Sequence, residues 1–271
     1  MSKACEAETV GRSSRTPFKH WILKTILGRI NGSLSTNSDK VPANPDPFHI
    51  LDLCAGDGLS TDLHDCSPKI INSHVKWAKD RGMKVRATYI EKGTSTFVQL
   101  MANCSGYHNA EFINADATTV SIVPTCPNQA IFVNADPNTI RDWPVSESLI
   151  ESLTPTTTLL ITMGCNVGGL KRLPLDERKE WFDHVAKVTH SLPSFHDAIL
   201  VVLNNDMAQW AYLIRDPLKW SSKTMEAIRS KAKTLTGSGV TIASIRHNSG
   251  EFSELLRQLF LTKKERTNEA A

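Results

Sequence analysis

Between residues 48 and 245, short apolar runs alternate with stretches of helical periodicity, and nothing else in this 271-residue chain constrains its fold as tightly. The runs are FHILDL from Phe48, VRATYIE from Val85, AEFINAD from Ala110, QAIFVNADP from Gln129, TTLLITM from Thr157, AILVVLN from Ala198 and VTIASI from Val240. The patterns between them predict helices over 70–81, 94–104, 143–153, 175–191 and 217–235. A run that is apolar at nearly every position has both faces buried, as in a parallel sheet covered by helices on either side. The expectation is an α/β, three-layer architecture around a mostly parallel seven-stranded sheet.

Upstream of this pattern, Thr16 is placed to cap a helix with Pro17 in its first turn, and Trp21, Ile22, Ile26 and Ile30 follow at helical spacing. Asn31 to Pro47 is rich in Gly, Pro and Asn and reads as a connector. The chain therefore divides into a flexible tail (1–15), an N-terminal helix and linker (16–47), an α/β domain (48–262) and a second flexible tail (263–271). Hydrophobic residues make up 40% and charged residues 22%, which argues against wholesale disorder. Six cysteines (5, 54, 66, 104, 126 and 165) include no C-x-x-C pair, so they read as small buried hydrophobes and no metal site is expected. Ala198 to Leu203 is the longest apolar run, far short of the roughly 20 residues that cross a membrane. The first fifteen residues lack an apolar core, so no secretory signal is expected and the location expected is cytoplasmic. A net charge of +3 permits a nucleic-acid partner without demanding one.

In open α/β sheets the ligand lies beyond the carboxyl ends of the strands, so the strand ends carry the candidate chemistry. The first run closes in ILDLCAGDGLS, which supplies Asp52, Gly56 and Gly58. Glycines there let a backbone approach a ligand without side-chain clash. A dinucleotide fingerprint would need Gly or Ala at position 61, where Thr61 stands, and an acid about 20 residues on, whereas Glu91 is 33 residues beyond Gly58. The run instead resembles the first motif of class I S-adenosylmethionine methyltransferases. That resemblance implies S-adenosylmethionine as cofactor, with Asp52, Gly56 and Gly58 at the glycine turn, Glu91 on the ribose hydroxyls and Asp116 near the adenine. A carboxylate suits a vicinal diol because it accepts two hydrogen bonds. Read by themselves, Glu91 also fits a solvated strand end, and Asp116 a turn cap.

The fourth run ends in Asn134-Ala135-Asp136-Pro137-Asn138, at the place where class I amino-methyltransferases carry D/N-P-P-Y/F. By that resemblance Asp136 and Asn138 are the candidate catalytic residues, orienting an exocyclic amine of a base in DNA or RNA. Here Asn138 and Thr139 replace the second proline and the aromatic residue, and Trp143 is the candidate to stack in its stead. Pro137, Trp143, Lys171, Arg172 and Arg215 are the remaining candidates for substrate contact. The lysine and arginine follow a glycine-rich stretch, and Arg215 stands among Trp210, Tyr212 and Trp220.

Taken together, KH-x-IL at Lys19 to Leu23, the D-x-x-A-G-x-G turn, Ser67-Pro68, Ile90-Glu91-Lys92, Asp136-Pro137-Asn138 and Lys171-Arg172 resemble a narrower group. This is the three-Cys-motif partner family of bacteria and mobile elements, with Cys66 standing where that family tends to have Gly. The resemblance runs from about residue 17 to 220. It implies a Rossmann-like, SAM-methyltransferase fold with a helical N-terminal extension, usually encoded beside a three-Cys-motif partner protein, in a phage or mobile-element context. It allows two functions: a methyltransferase, or a non-catalytic S-adenosylmethionine-binding member of a two-protein assembly.

Overall fold

The structure, a computed structural model, describes residues 16–36, 48–60, 65–120, 129–136, 145–152, 157–165, 174–177, 180, 183, 197–204, 209–216, 221–237 and 239–245. Helix α1 (Thr16–Thr36) buries Phe18, Ile22, Leu23, Ile26, Leu27 and Ile30 in one stripe, the spacing a helix needs to cover a core. It runs well past Asn31, where the composition predicts a connector. Asn31 is buried, and its Nδ2 lies 3.1 Å from His74 Nδ1 on helix α2 (Ser67–Lys79), so a tertiary contact overrides turn-forming residues. Helix α2 itself starts three residues before the predicted position 70, with Pro68 buried in its first turn. Helix α3 (Thr94–Asn103) and helix α4 (Glu147–Glu151) fall within their predicted ranges. Helix α5 (Ser222–Thr236) is capped by Ser221, whose Oγ accepts the Thr224 amide at 3.1 Å, and is closed by Gly237 at φ +65°. Of the predicted helix over 175–191, residues 175–177, 180 and 183 are helical and the rest lie outside the described residues.

Among the described residues, eight strands form one sheet: β1 (Phe48–Asp52), β2 (Val85–Glu91), β3 (Ala110–Asn114), β4 (Ile131–Ala135), β5 (Thr157–Cys165), β6 (Asp197–Asn204), β7 (Gln209–Asp216) and β8 (Gly239–Ile245). Their order is β3-β2-β1-β4-β5-β7-β6-β8. The five strands from β3 to β5 pair in parallel. Strand β7 runs antiparallel between β5 and β6, and β8 runs antiparallel to β6 at the edge. The expectation of seven strands is therefore corrected to eight. The extra strand is β7, which pairs antiparallel with β6 and which the sequence pattern does not predict.

One face of the sheet carries Phe48, Ile50, Val85, Ala87, Tyr89, Phe132, Leu160 and Tyr212, packed under α1, α2, α3 and α5 in a single apolar cluster. In that layer α1 lies between α2 and α5 and touches both. Helix α1 is thus part of the core. Residues one position out of register, among them Leu51, Ile90, Val133, Leu159 and Leu213, are buried on the other face. Among the described residues, no helix is long and apolar enough to cross a membrane.

Candidate functional site

Strand β1 sits between β2 and β4, so the chain leaves it in one direction to reach β2 and β3 and in the other to reach β4 and β5. Such a reversal opens a crevice at the carboxyl ends of the strands. The backbone leaving β1 is held on both sides of it: the Leu53 amide donates to Asn134 O at 2.9 Å and the Ala55 amide to Ile90 O at 3.0 Å. The turn that follows contains Gly56 at φ +67° and Gly58 at φ +70°, both in the left-handed region. A Cβ on Gly58 would lie 2.7 Å from Cys104 Sγ and 3.0 Å from Leu100 Cδ1, so this glycine lets the turn press against α3 and its end. A Cβ on Gly56 would meet no atom within 4 Å. The turn is closed on the protein side at Gly58 and open at Gly56.

Glu91, the last residue of β2, reaches back to this turn. Its Oε2 accepts the Gly56 amide at 3.0 Å and its Oε1 accepts the Gly93 amide at 2.8 Å. One carboxylate therefore joins the glycine turn to the start of α3. Each oxygen keeps a second lone pair for a hydroxyl donor.

Asp52, the last residue of β1, lies under the turn with no solvent exposure. Its Oδ1 accepts Asn134 Nδ2 at 2.8 Å. Burial pushes its carboxyl up to about 6, against the pull of its hydrogen bonds to Asn134 and Ser67. Buried there and bonded to Asn134, Asp52 is placed to brace the turn from below. Asp116 caps a single 3₁₀ turn (Ala117–Thr119): its Oδ1 accepts the Thr118 amide at 2.9 Å and the Thr118 hydroxyl at 2.8 Å. Lys92 Nζ lies 2.6 Å from Oδ2, and this pairing chiefly holds Asp116 down at about 2. The end of β3 is tied to β2 by Asn114, whose Nδ2 donates to Glu91 O at 2.7 Å.

Asp136 follows β4 directly, and its carboxylate is ion-paired with Lys19 of α1. Lys19 and Asn134 belong to the site's geometry although the sequence reading gave neither a role there. Lys19 did stand in the KH motif, but a pairing across 117 residues leaves no local signal.

Pro137, Asn138 and Trp143, with Lys171 and Arg172, lie outside the described residues, as do Thr61 and Thr139. Arg215 is corrected. Its guanidinium lies fully buried in β7 with Nη1 donating to Thr157 O at 2.6 Å, so it presents nothing to a substrate. Burial also lowers its pKa to about 10.

No protein-family model and no curated protein matches this sequence. The resemblance to the three-Cys-motif partner family therefore rests on its short motifs alone. Among solved structures, protein LPL1258 from Legionella pneumophila aligns with a TM-score of 0.54 at 12% identity, over 86% of this chain and 96% of its own. A precorrin-6y C5,15-methyltransferase from Geobacter metallireducens aligns at 0.41 and 9% identity, over 81% of this chain and 95% of its own. An rRNA methylase from Streptococcus thermophilus aligns at 0.40 and 11% identity, over 63% and 87%. At 12% identity the first likeness speaks for the fold alone. What the chain shares with the Legionella protein is its mostly parallel, Rossmann-like α/β fold.

Proposed function

We propose that this chain is an S-adenosylmethionine-dependent methyltransferase whose acceptor is an exocyclic amine of a nucleobase in DNA or RNA. The observation that carries the reading is the pairing of an open glycine turn at the β1/β4 reversal with the Glu91 carboxylate beside it. The residues fit the cofactor: Gly56 leaves room for a ligand against the backbone, and Glu91 retains acceptor capacity for a ribose diol. S-adenosylmethionine, when bound, supplies an electrophilic methyl group on its sulfonium. Glu91 would hold the ribose, while Asp52 and Asn134 keep the turn in place from below. Asp116, already committed to Lys92 and Thr118, would bound the adenine side. Asp136 would accept an N–H of the acceptor amine and keep its lone pair aimed at the methyl group, a positioning effect that can supply much of the rate. Lys19, paired with Asp136 from α1, would fix where that carboxylate sits.

Calorimetric titration with S-adenosylhomocysteine, beside NAD, tests the cofactor. Micromolar binding that falls at least about thirtyfold, roughly 2 kcal/mol, in Glu91→Ala is expected. Silence with both ligands overturns the reading. For the acceptor, Asp136→Ala is expected to keep S-adenosylhomocysteine binding and lose methyl transfer to nucleic acid. Full turnover in that variant removes Asp136 from the mechanism.

The Lys19–Asp136 pair also favours a second reading, because the carboxylate proposed to orient an acceptor already has a partner from α1. In this reading the chain is a non-catalytic S-adenosylmethionine-binding member of an assembly with a three-Cys-motif partner protein. Co-purification with such a partner, together with S-adenosylhomocysteine binding and no methyl transfer to DNA or RNA, would distinguish it.

A further inference from the structure

Of the helices that cover one face of the sheet, α3 carries no charge, and α1, α2 and α5 hold nearly all of theirs in one sign. Helix α1 contributes Lys19, Lys24 and Arg29, α2 contributes Lys69, Lys76 and Lys79, and α5 contributes Lys223, Arg229, Lys231 and Lys233, against Glu226 alone. That is a net +9 on the layer, where the whole chain sums to +3, so the remaining residues together carry −6. All of these cations except Lys19 and Arg29 are exposed. Asp65, just before α2, partly offsets Lys24 and Lys69, and Glu226 lies 3.6 Å from Arg229. Lys76, Lys79, Lys223, Lys231 and Lys233 form no ion pair with a described carboxylate.

Shape adds to charge. Along the outer side of α1, the middle helix, Gly28 and Gly32 are exposed one turn apart, and a Cβ at either would meet nothing within 4 Å. At these two positions α1 presents bare backbone between the lysine-bearing helices α2 and α5. The track also leads to the candidate site. Helix α5 joins the end of β7, paired with the start of β6, to the start of β8, paired with its end. It thus climbs about 22 Å toward the carboxyl edge of the sheet, bringing Lys231 and Lys233 there. Helix α2 starts at that edge with Lys69 and carries Lys76 and Lys79 away from it. Helix α1 joins the two ends, with Lys19 on Asp136 and Asn31 on His74.

We infer that the α2–α1–α5 face is a docking surface for the phosphate backbone of a nucleic acid, lying along α1 with one end delivered to the glycine turn. Lysines that pair with no described carboxylate, on either side of the bare glycine positions of α1, suit a polyanion, and neutralising phosphates releases condensed counterions. In naming the acceptor class, the inference rests on the methyltransferase reading; the surface itself does not.

The test is fluorescence anisotropy with labelled single-stranded RNA and duplex DNA, and flotation with vesicles of phosphatidylserine and phosphatidylcholine. The intact full-length chain is used throughout, beside K76Q/K79Q/K231Q/K233Q and E226Q. All five positions are exposed, so the fold is kept, and far-UV circular dichroism checks it. The fourfold variant is expected to bind nucleic acid at least about tenfold more weakly at physiological salt. Its dependence of log affinity on log salt should be shallower by about three. E226Q, which frees Arg229 from its acidic neighbour, is expected to bind about twofold more tightly. An unchanged affinity and salt slope in the fourfold variant overturns the inference, and so does binding to anionic vesicles without binding to either nucleic acid. Calorimetry with S-adenosylhomocysteine on the same samples separates the two claims: nucleic-acid binding that depends on these lysines, with a silent cofactor titration, leaves the surface standing and removes the methyltransferase reading.

Discussion

Two titrations inside the sheet oppose each other. His49 and Asp52 both lie on β1, and burial disfavours the charged form of each. His49 Nε2 lies 2.9 Å from Thr88 Oγ1, and burial, with the nearby Arg86 charge, lowers the imidazole from 6.5 to about 4. Its contribution to stability is present above pH 6.5 and is lost as pH falls toward 4. Asp52 is raised from 3.8 to about 6, so its contribution is present below pH 3.8 and is lost as pH rises through 6. Each is worth about 3 kcal/mol, and in the wild type they largely cancel across that window. Urea denaturation should therefore find Asp52→Asn more stable than wild type at neutral pH, with a steeper loss on acidification. His49→Gln should lose much of that acid limb. Parallel pH profiles for all three proteins would refute this account. The turn glycines separate in the same assay. Gly58→Ala should cost about 2–3 kcal/mol, from strain at positive φ plus the contact with Cys104, and Cys104→Ala should restore part of it. Gly56→Ala should cost about 1 kcal/mol and chiefly weaken S-adenosylhomocysteine binding. The sequence shows that both positions are glycine. It does not show that one faces α3 and the other faces open space, because that difference is made by residues more than 40 positions away.

At the scale of elements, the strands that were legible are those whose neighbours agree with them. Strands β1, β2 and β4 are buried at most positions, and each is closed by or followed by a polar site residue. Strand β7 was not legible, for a physical reason. A strand buried on both faces is not expected to carry an arginine, so Arg215 beside aromatic residues reads as a ligand contact. In the fold it spans the β5–β7 pairing to reach the Thr157 carbonyl, an acceptor that no local pattern announces. Helix α1 shows the converse. Its start and stripe were legible, but its extent and its place inside the core were not. Phe18 is fully buried, stacked on Trp21 with ring centroids 6.0 Å apart and edge-on to Tyr212 of β7 at 5.6 Å. Phe18→Ala should therefore cost about 3–5 kcal/mol in chemical denaturation, as for a core phenylalanine. A loss under 1 kcal/mol would mean that α1 is an appendage laid on a self-sufficient sheet.

For the whole molecule, a charge sum hides what the fold does with the charges. A chain at +3 gives no reason to expect a polyanion partner, and the excess emerges only when α1, α2 and α5, far apart in sequence, are laid side by side. The four cations of α5 lie about 150 residues beyond those of α2, so no window along the sequence reveals the patch. Separation of this kind has a consequence that needs no ligand. Near pH 8.5, where the chain has no net charge, a molecule with evenly mixed charges would pass through ion-exchange resins of either sign. With +9 on one layer and −6 over the remainder at pH 7, this one should be retained at low salt by a cation exchanger through the helical face. An anion exchanger should also retain it through other surfaces. Both interactions should vanish as salt shortens the Debye length to about 3 Å near 1 M. K76Q/K79Q/K231Q/K233Q should lose retention on the cation exchanger and keep it on the anion exchanger, whereas loss of both, or of neither, would mean that the layer does not act as a distinct field.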